Sequence, residues 1–246
     1  MTYHPFEILG ADRPSRWLTT CDHASNHVPA AVNGGDLGIA PADMNRHIAF
    51  DLGAAGVSRA LAERLDGPAI LSNFSRLVID PNRGEDDPTL MMKLYDGTLV
   101  PANRHITPEQ AEHRLNAYYR PYHAALTKLA ARRDDTVLVA MHSFSPKLNG
   151  RAARPWQIGV LHAGDCALGP ALIKRLQGEP DLCVGDNEPY AGHLPGDSVD
   201  QHALQPGRPN VLIELRHDVI ETPTQQIAWA ERLAPLLQNA LVDTAL

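Results

Sequence analysis

The sequence predicts an α/β fold, a three-layer sandwich around a mostly parallel, mixed central sheet, on three observations. Short apolar runs, above all Trp17–Cys21, Val137–Met141 and Val211–Ile213, alternate along the chain with longer segments of helical periodicity. Two helices announce their starts: Thr107-Pro108-Glu109-Gln110 and Thr222-Pro223-Thr224-Gln225 each join a threonine N-cap, a proline at the first helical position and a glutamine that completes a capping box. The three apolar runs also end on residues able to do chemistry: Asp22 with His23, His142, and Glu214. In open sheets flanked by helices, ligands gather outside the carboxyl ends of the strands.

The first strand leads into Cys21-Asp22-His23-Ala24-Ser25-Asn26-His27-Val28-Pro29, a loop whose polar density fits a solvated turn as well as a ligand-bearing one. Gly34–Gly38 is a connector without the spacing of a dinucleotide fingerprint. From Asp43 to Leu65, Ile48, Leu52, Ala55, Val57, Leu61 and Leu65 recur at helical spacing, with Gly53 and Gly56 as points where the helix can divide. Asp51 in this stretch either faces water or, packed against small neighbours, needs a partner or a metal. Ala69–Leu71 and Arg76–Ile79 read as short strands, the second ending in Asp80-Pro81-Asn82-Arg83-Gly84. Past that end, Arg83 can offer a planar fork to a carboxylate; an ordinary turn arginine is the alternative.

Residues 85–103 hold too many turn formers for an element and suit a lid or substrate loop. The Thr107 helix should run to about Arg133, with Tyr118, Tyr119, Tyr122 and Leu126 toward the sheet and a kink at Pro121. After the strand that ends at His142, Trp156–Leu161 reads as a strand and Ala167–Leu176 as a helix. A short extended piece, Leu182–Val184, enters the loop Gly185–Tyr190, where Tyr190 is available to a ligand or serves only as a cap. In the last strand, alternation puts Glu214 and Arg216 on one face, and the Thr222 helix closes the chain.

A chain of 246 residues with 43% hydrophobic content can bury one large core, so residues 1–246 are taken as a single domain. The formal net charge of −7 argues against a nucleic-acid-binding surface. No segment has the pattern of a signal peptide or a membrane span, which leads to the expectation of a cytoplasmic protein. Cys21, Cys166 and Cys183 are isolated and fit neither a disulfide framework nor a cysteine zinc site. Ser143 lacks the GxSxG elbow of a serine hydrolase.

Two histidines and a glutamate at strand ends point to a metal hydrolase. Zinc in such enzymes takes three His or carboxylate ligands and keeps a fourth position for water, whose proton a nearby carboxylate removes. His23, His142, a carboxylate such as Asp51, Glu214 and Arg83 would supply every part.

His142-Ser143-Phe144-Ser145 and Ile213-Glu214-Leu215-Arg216 resemble the HSYS and FELR segments of the zinc carboxypeptidases, and Asn82-Arg83 resembles their carboxylate-binding Asn-Arg pair. Nearly the whole chain is similar to the N-formylglutamate amidohydrolase family, through CDHASNHVP, FDLGA, SRLVIDPNR, MHSFSP, GDNEPY and IELRHD. The resemblance implies a phosphorylase/hydrolase-like fold of the carboxypeptidase type, one zinc ion, and cleavage of N-formyl-L-glutamate, or a related N-acyl amino acid, to formate and glutamate. It also implies His23 and His142 as metal ligands, Glu214 as general base and the Asn82-Arg83 pair as a grip on a substrate carboxylate; Arg76, Arg216 and Tyr190 are read from the chain itself as further substrate-binding candidates. One departure stands out: where the carboxypeptidases have HxxE, this chain has His23-Ala24-Ser25-Asn26. Asp51 is expected to supply the missing carboxylate, with Asp22 and Asn26 as fallbacks. The partner is thus a small anionic molecule; a metallopeptidase acting on a peptide or cell-wall amide, and a non-catalytic binding protein of the same fold, are the alternatives. The oligomeric state is not legible.

Overall fold

Alternation along the central strands decides which side chains face which helices. The computed structural model describes residues 3–163, 166–192 and 194–244. Its strands are β1 (Phe6–Leu9), β2 (Trp17–Cys21), β3 (Ala69–Ser72), β4 (Leu94–Tyr95), β5 (Thr98–Leu99), β6 (Val137–Phe144), β7 (Ile158–Leu161), β8 (Val184–Asp186) and β9 (Asn210–Arg216). Its α-helices are α1 (Pro41–Met44), α2 (Ala54–Arg64), α3 (Pro101–Arg104), α4 (Pro108–Arg114), α5 (Arg120–Ala130), α6 (Leu168–Leu176) and α7 (Pro223–Thr244). Seven strands form one sheet in the order β1-β3-β2-β6-β9-β7-β8, and β4 pairs with β5 separately. The β3-β2-β6-β9 run and the β7-β8 pair are parallel, whereas β1 and β7 run antiparallel to β3 and β9. The α/β class and the mostly parallel, mixed sheet predicted from the sequence are those observed.

One face of the sheet, with Val137, Val139 and Met141 of β6 and Val211, Ile213 and Leu215 of β9, packs on α2, α6 and α7. The other face, with Leu138, Ala140 and Leu212, packs on Tyr122, Leu126 and Leu129 of α5. By the same period of two, His142 and Glu214 belong to the α5 side. They are also register partners across the β6–β9 pair, so one alternation delivers both to a common point.

Several boundaries differ from expectation. β6 does not break into a loop at His142 but continues to Phe144, because Asp51 and Leu52 satisfy Ser143: its N–H donates to Asp51 Oδ2 at 3.2 Å and its Oγ to the Leu52 carbonyl at 2.8 Å. The predicted strand Arg76–Ile79 is not a strand. Leu77, Val78 and Ile79 are fully buried in a third apolar cluster beneath long loops, and side chains meet their backbone groups. Asn103 Nδ2 donates to the Leu77 carbonyl and Arg114 Nη1 to the Val78 carbonyl, each at 2.7 Å, which removes the need for a neighbouring strand. The expected helix from Asp43 to Leu65 divides into α1 and α2, with Gly53 at φ +78° before α2. Residues 85–103 contain the β4–β5 hairpin and run into α3.

The Thr107 capping box is complete, and the long helix it opens is continuous but carries one π turn, Leu115–Tyr119, where Arg120 N–H reaches back to the Leu115 carbonyl. That turn lies immediately before Pro121, which has no N–H to donate. Thr222 and Gln225 form the equivalent bonds at the start of α7. Among the described residues, no helix is long and apolar enough to cross a membrane.

Candidate functional site

Four segments meet at the carboxyl ends of β2, β6 and β9. His23 follows β2, Asp51 precedes α2, and His142 and Glu214 stand on β6 and β9. All four are buried, His23 at 1%, Asp51 and His142 at 3% and Glu214 at 7% exposure, which forces each to find a partner or a use. The backbone first ties Asp51 to the β2 end, its N–H donating to the His23 carbonyl at 2.9 Å. Asp51 Oδ2 then lies 2.9 Å from His142 Nδ1 and 3.4 Å from His23 Nδ1. Atoms of His23, Asp51 and His142 that could ligate a metal all fall within 4.8 Å of one another.

The far sides of both rings also face carboxylates. His23 Nε2 is 2.6 Å from Asp80 Oδ1, and His142 Nε2 is 3.9 Å from Asp22 Oδ2. A carboxylate behind a histidine fixes the tautomer and leaves the opposite nitrogen bare for a metal. Three buried atoms of this group have no hydrogen-bond partner among the described residues: His142 Nε2, Asp22 Oδ2 and Glu214 Oε2. The donor set of two imidazole nitrogens and one carboxylate, converging in a buried pocket, fits a divalent cation.

The electrostatics follow from this packing. Burial opposes charge on His142, yet the hydrogen bond and charge of Asp51, with Glu214 and Asp22 nearby, lift it to about 9. Burial would raise Asp51, but the His23 charge and the hydrogen bonds from both histidines outweigh it and hold the carboxylate below its ordinary range. Burial likewise works against Asp80, and Arg76 and His23 overcome it. Glu214 differs. Burial, with help from Asp51 and only partial relief from His142, raises its carboxyl to about 7.

A cavity of about 280 Å³ opens onto these groups. Arg76, Asn82, Arg83 and Tyr190, four of the five sequence-derived substrate candidates, line it. Arg76 is largely spent within the site: it donates to Asp80 Oδ2 at 2.8 and 3.2 Å and stands 3.6 Å from Asp51 Oδ1. Arg83 is held by Thr89 Oγ1 at 3.2 Å and the Asn82 carbonyl at 2.6 Å, with the Asp87 carboxylate 4.0 Å from its Nε. The Tyr119 hydroxyl donates to the Arg83 carbonyl at 2.7 Å and fixes its backbone. Asn82 Oδ1 accepts from Ser198 N–H at 3.3 Å.

Arg216 does not line the cavity. Its guanidinium binds Asp218 at 2.7 Å and the carbonyls of Arg154, Pro155 and Trp156 at 3.1–3.2 Å, so the structure gives it an anchoring position. Of the fallback ligands, Asp22 lies behind His142 and accepts the Tyr122 hydroxyl, and the Asn26 amide donates to the Met44 carbonyl and to Asn45 Oδ1. Asp80 escaped the sequence reading. Its signal was available in the Arg76…Asp80 pair and the adjacent Asn82-Arg83, but contact with His23 spans 57 residues and only the fold makes it.

The N-formylglutamate amidohydrolase family model matches residues 15–221. An N-formylglutamate deformylase of Pseudomonas putida is 26% identical over 199 residues, covering 73% of this chain and 74% of that protein. The crystal structure of a gene product of Agrobacterium tumefaciens superposes with a TM-score of 0.92 at 32% identity, covering 98% of this chain and 96% of the other. An N-formylglutamate amidohydrolase from Ralstonia eutropha shares the fold, with a TM-score of 0.66 at 20% identity and coverage of 96% and 98%.

Proposed function

Because the chain belongs to the N-formylglutamate amidohydrolase family, we propose that it is a metal-dependent hydrolase that cleaves the formamide bond of N-formyl-L-glutamate to formate and glutamate. The observation that carries this reading is the convergence of His23 Nδ1, His142 Nδ1 and Asp51 Oδ2 beside a buried glutamate of raised pKa. His23, Asp51 and His142 would hold a zinc ion, the metal that such a nitrogen and carboxylate set suits. When bound, the ion supplies Lewis-acid polarisation of the formyl carbonyl.

The remaining work falls to the chain. Glu214 accepts a proton from the attacking water and returns it to the leaving amine nitrogen; a carboxyl near pH 7 is matched to both directions. Arg83 and Asn82 bind and orient a substrate carboxylate at the cavity wall. Asp80 holds the His23 imidazole by its far nitrogen, Asp22 faces the far nitrogen of His142 at 3.9 Å, and Arg76 lies against the carboxylates of Asp80 and Asp51. Tyr190 closes part of the wall.

The test is formate release from N-formyl-L-glutamate by zinc-loaded protein beside a chelated control. Turnover that disappears on chelation and returns with zinc is expected. Zinc-loaded protein that binds the ion but leaves N-formylglutamate intact would overturn the substrate; chelated protein that keeps full rate would overturn the metal.

A further inference from the structure

We infer that Arg154 is the recognition site for the side-chain carboxylate of the substrate, and that it sets a preference for dianionic over monoanionic N-formyl amino acids. This assignment rests on the amidohydrolase reading and adds a residue to it.

A glutamate derivative brings two carboxylates into the cavity, and desolvating each calls for a charged or multiply donating partner. Of the two arginines that line the cavity, Arg76 is already bound to Asp80 and close to Asp51. Arg83 can serve one carboxylate, which leaves the second without a cation. Arg154 stands at the edge of the same cavity, against three residues of its wall. Its guanidinium carbon lies 5.5 Å from the Phe144 ring centre and 5.1 Å from that of Tyr190, and Nη1 donates to the Ser145 carbonyl and the Tyr190 hydroxyl at 3.2 Å each. Phe144, Ser145 and Tyr190 all line the cavity.

What Arg154 lacks is an acid. Among the described residues it makes no ion pair, and both its acceptors are neutral. Nε and Nη2 have no partner there, so two donors of the fork remain open for a carboxylate. The rings of Phe144 and Tyr190 flank the guanidinium and help to hold it in place by cation–π contact.

The backbone around it is fixed independently. Arg154 N–H donates to the Pro146 carbonyl at 2.8 Å, and Arg216 Nη1 donates to the Arg154 carbonyl at 3.1 Å. The carbonyl clamp of Arg216 thereby ties the Arg154 backbone to the end of β9. Arg83 follows Asp80, which holds His23, whereas Arg154 rests on Phe144 at the end of β6 and on Tyr190.

The experiment compares wild type with Arg154→Gln and Arg154→Lys. kcat/KM is measured for N-formyl-L-glutamate and N-formyl-L-glutamine, and calorimetric affinity for L-glutamate and L-glutamine, all on zinc-loaded protein. Wild type should favour each dicarboxylate over its amide by about 10- to 100-fold, the worth of a hydrogen bond to a charged group. R154Q should collapse that ratio to about threefold or less, and R154K should recover part of it. An unchanged ratio in R154Q, or equal losses on acid and amide, overturns the assignment. Where wild type releases no formate from either substrate, the amidohydrolase reading fails, and calorimetry still judges Arg154: a preference for glutamate that R154Q removes upholds it, and no preference overturns it.

Discussion

His23 and His142 are neighbours, 5.0 Å between ring centres, yet their surroundings are opposite. Around His23 each charge is answered: Asp80 sits at 2.6 Å, Asp51 at 3.4 Å, and Arg76 binds or approaches both carboxylates. Around His142 the far nitrogen, Asp22 Oδ2 and Glu214 Oε2 are buried without hydrogen-bond partners among the described residues. An unsatisfied buried polar group costs about 1–3 kcal/mol, so three in one place mark where the fold holds capacity open for something else. The saturated half sets geometry; the unsatisfied half is left for chemistry.

Substitutions on the two halves should therefore fail differently. The largest effect is expected from Glu214→Gln, which should lower kcat by about 10³-fold while zinc content stays the same. Near-normal turnover in that variant would remove Glu214 from its role and with it the contrast. The same group sets a pH limb. Its base form exists above its pKa and is lost as pH falls through it, so wild-type kcat/KM should decline on the acid side of an apparent pKa at or below about 7, a bound cation pulling the value down from the one burial imposes. A rate that stays flat on acidification would break this assignment.

Asp80→Asn probes the saturated half and should weaken zinc affinity by about 10- to 100-fold, with turnover recovered by excess metal. Unaltered affinity in a competition titration with a chelator would show that His23 needs no support. The smallest effect is expected from Tyr122→Phe, which takes the hydroxyl donor from the fully buried Asp22. Urea denaturation should show a loss of about 1–3 kcal/mol. A loss near zero would mean that Ser198 Oγ, 3.4 Å from the same oxygen, takes over the bond.

Much of the sheet was legible because local rules and tertiary context agree. β2, β3, β6 and β9 are short apolar runs between turn formers, and both threonine capping boxes form as written. Where context overrides pattern, legibility stops. Arg76–Ile79 is apolar enough for a strand, yet its carbonyls are met by Asn103 and Arg114 from elsewhere in the chain. β1 is a half-exposed edge strand whose place depends on β3, more than sixty residues away. At the site, His142 and Glu214 announced themselves by standing at the ends of apolar runs, and their register pairing came from the sheet alone. Asp80 had no such marker, and Arg216 could be placed on a face but not assigned its carbonyl partners.

The π turn at Leu115–Tyr119 has one more consequence, in angular phase. Before the turn, Arg114 reaches the Val78 carbonyl and Asn103; at its end and beyond, Tyr119 reaches the Arg83 carbonyl and Tyr122 reaches Asp22 behind His142. In an uninterrupted α-helix each residue advances the side chains by about 100°, so deleting one residue between Arg114 and Tyr119 would rotate the arginine relative to both tyrosines by that amount. The helix would survive, and the loop clasp and the two hydroxyls could no longer be made together. A single surplus residue thus acts as the timing mark that keeps the buried loop and the active centre in step.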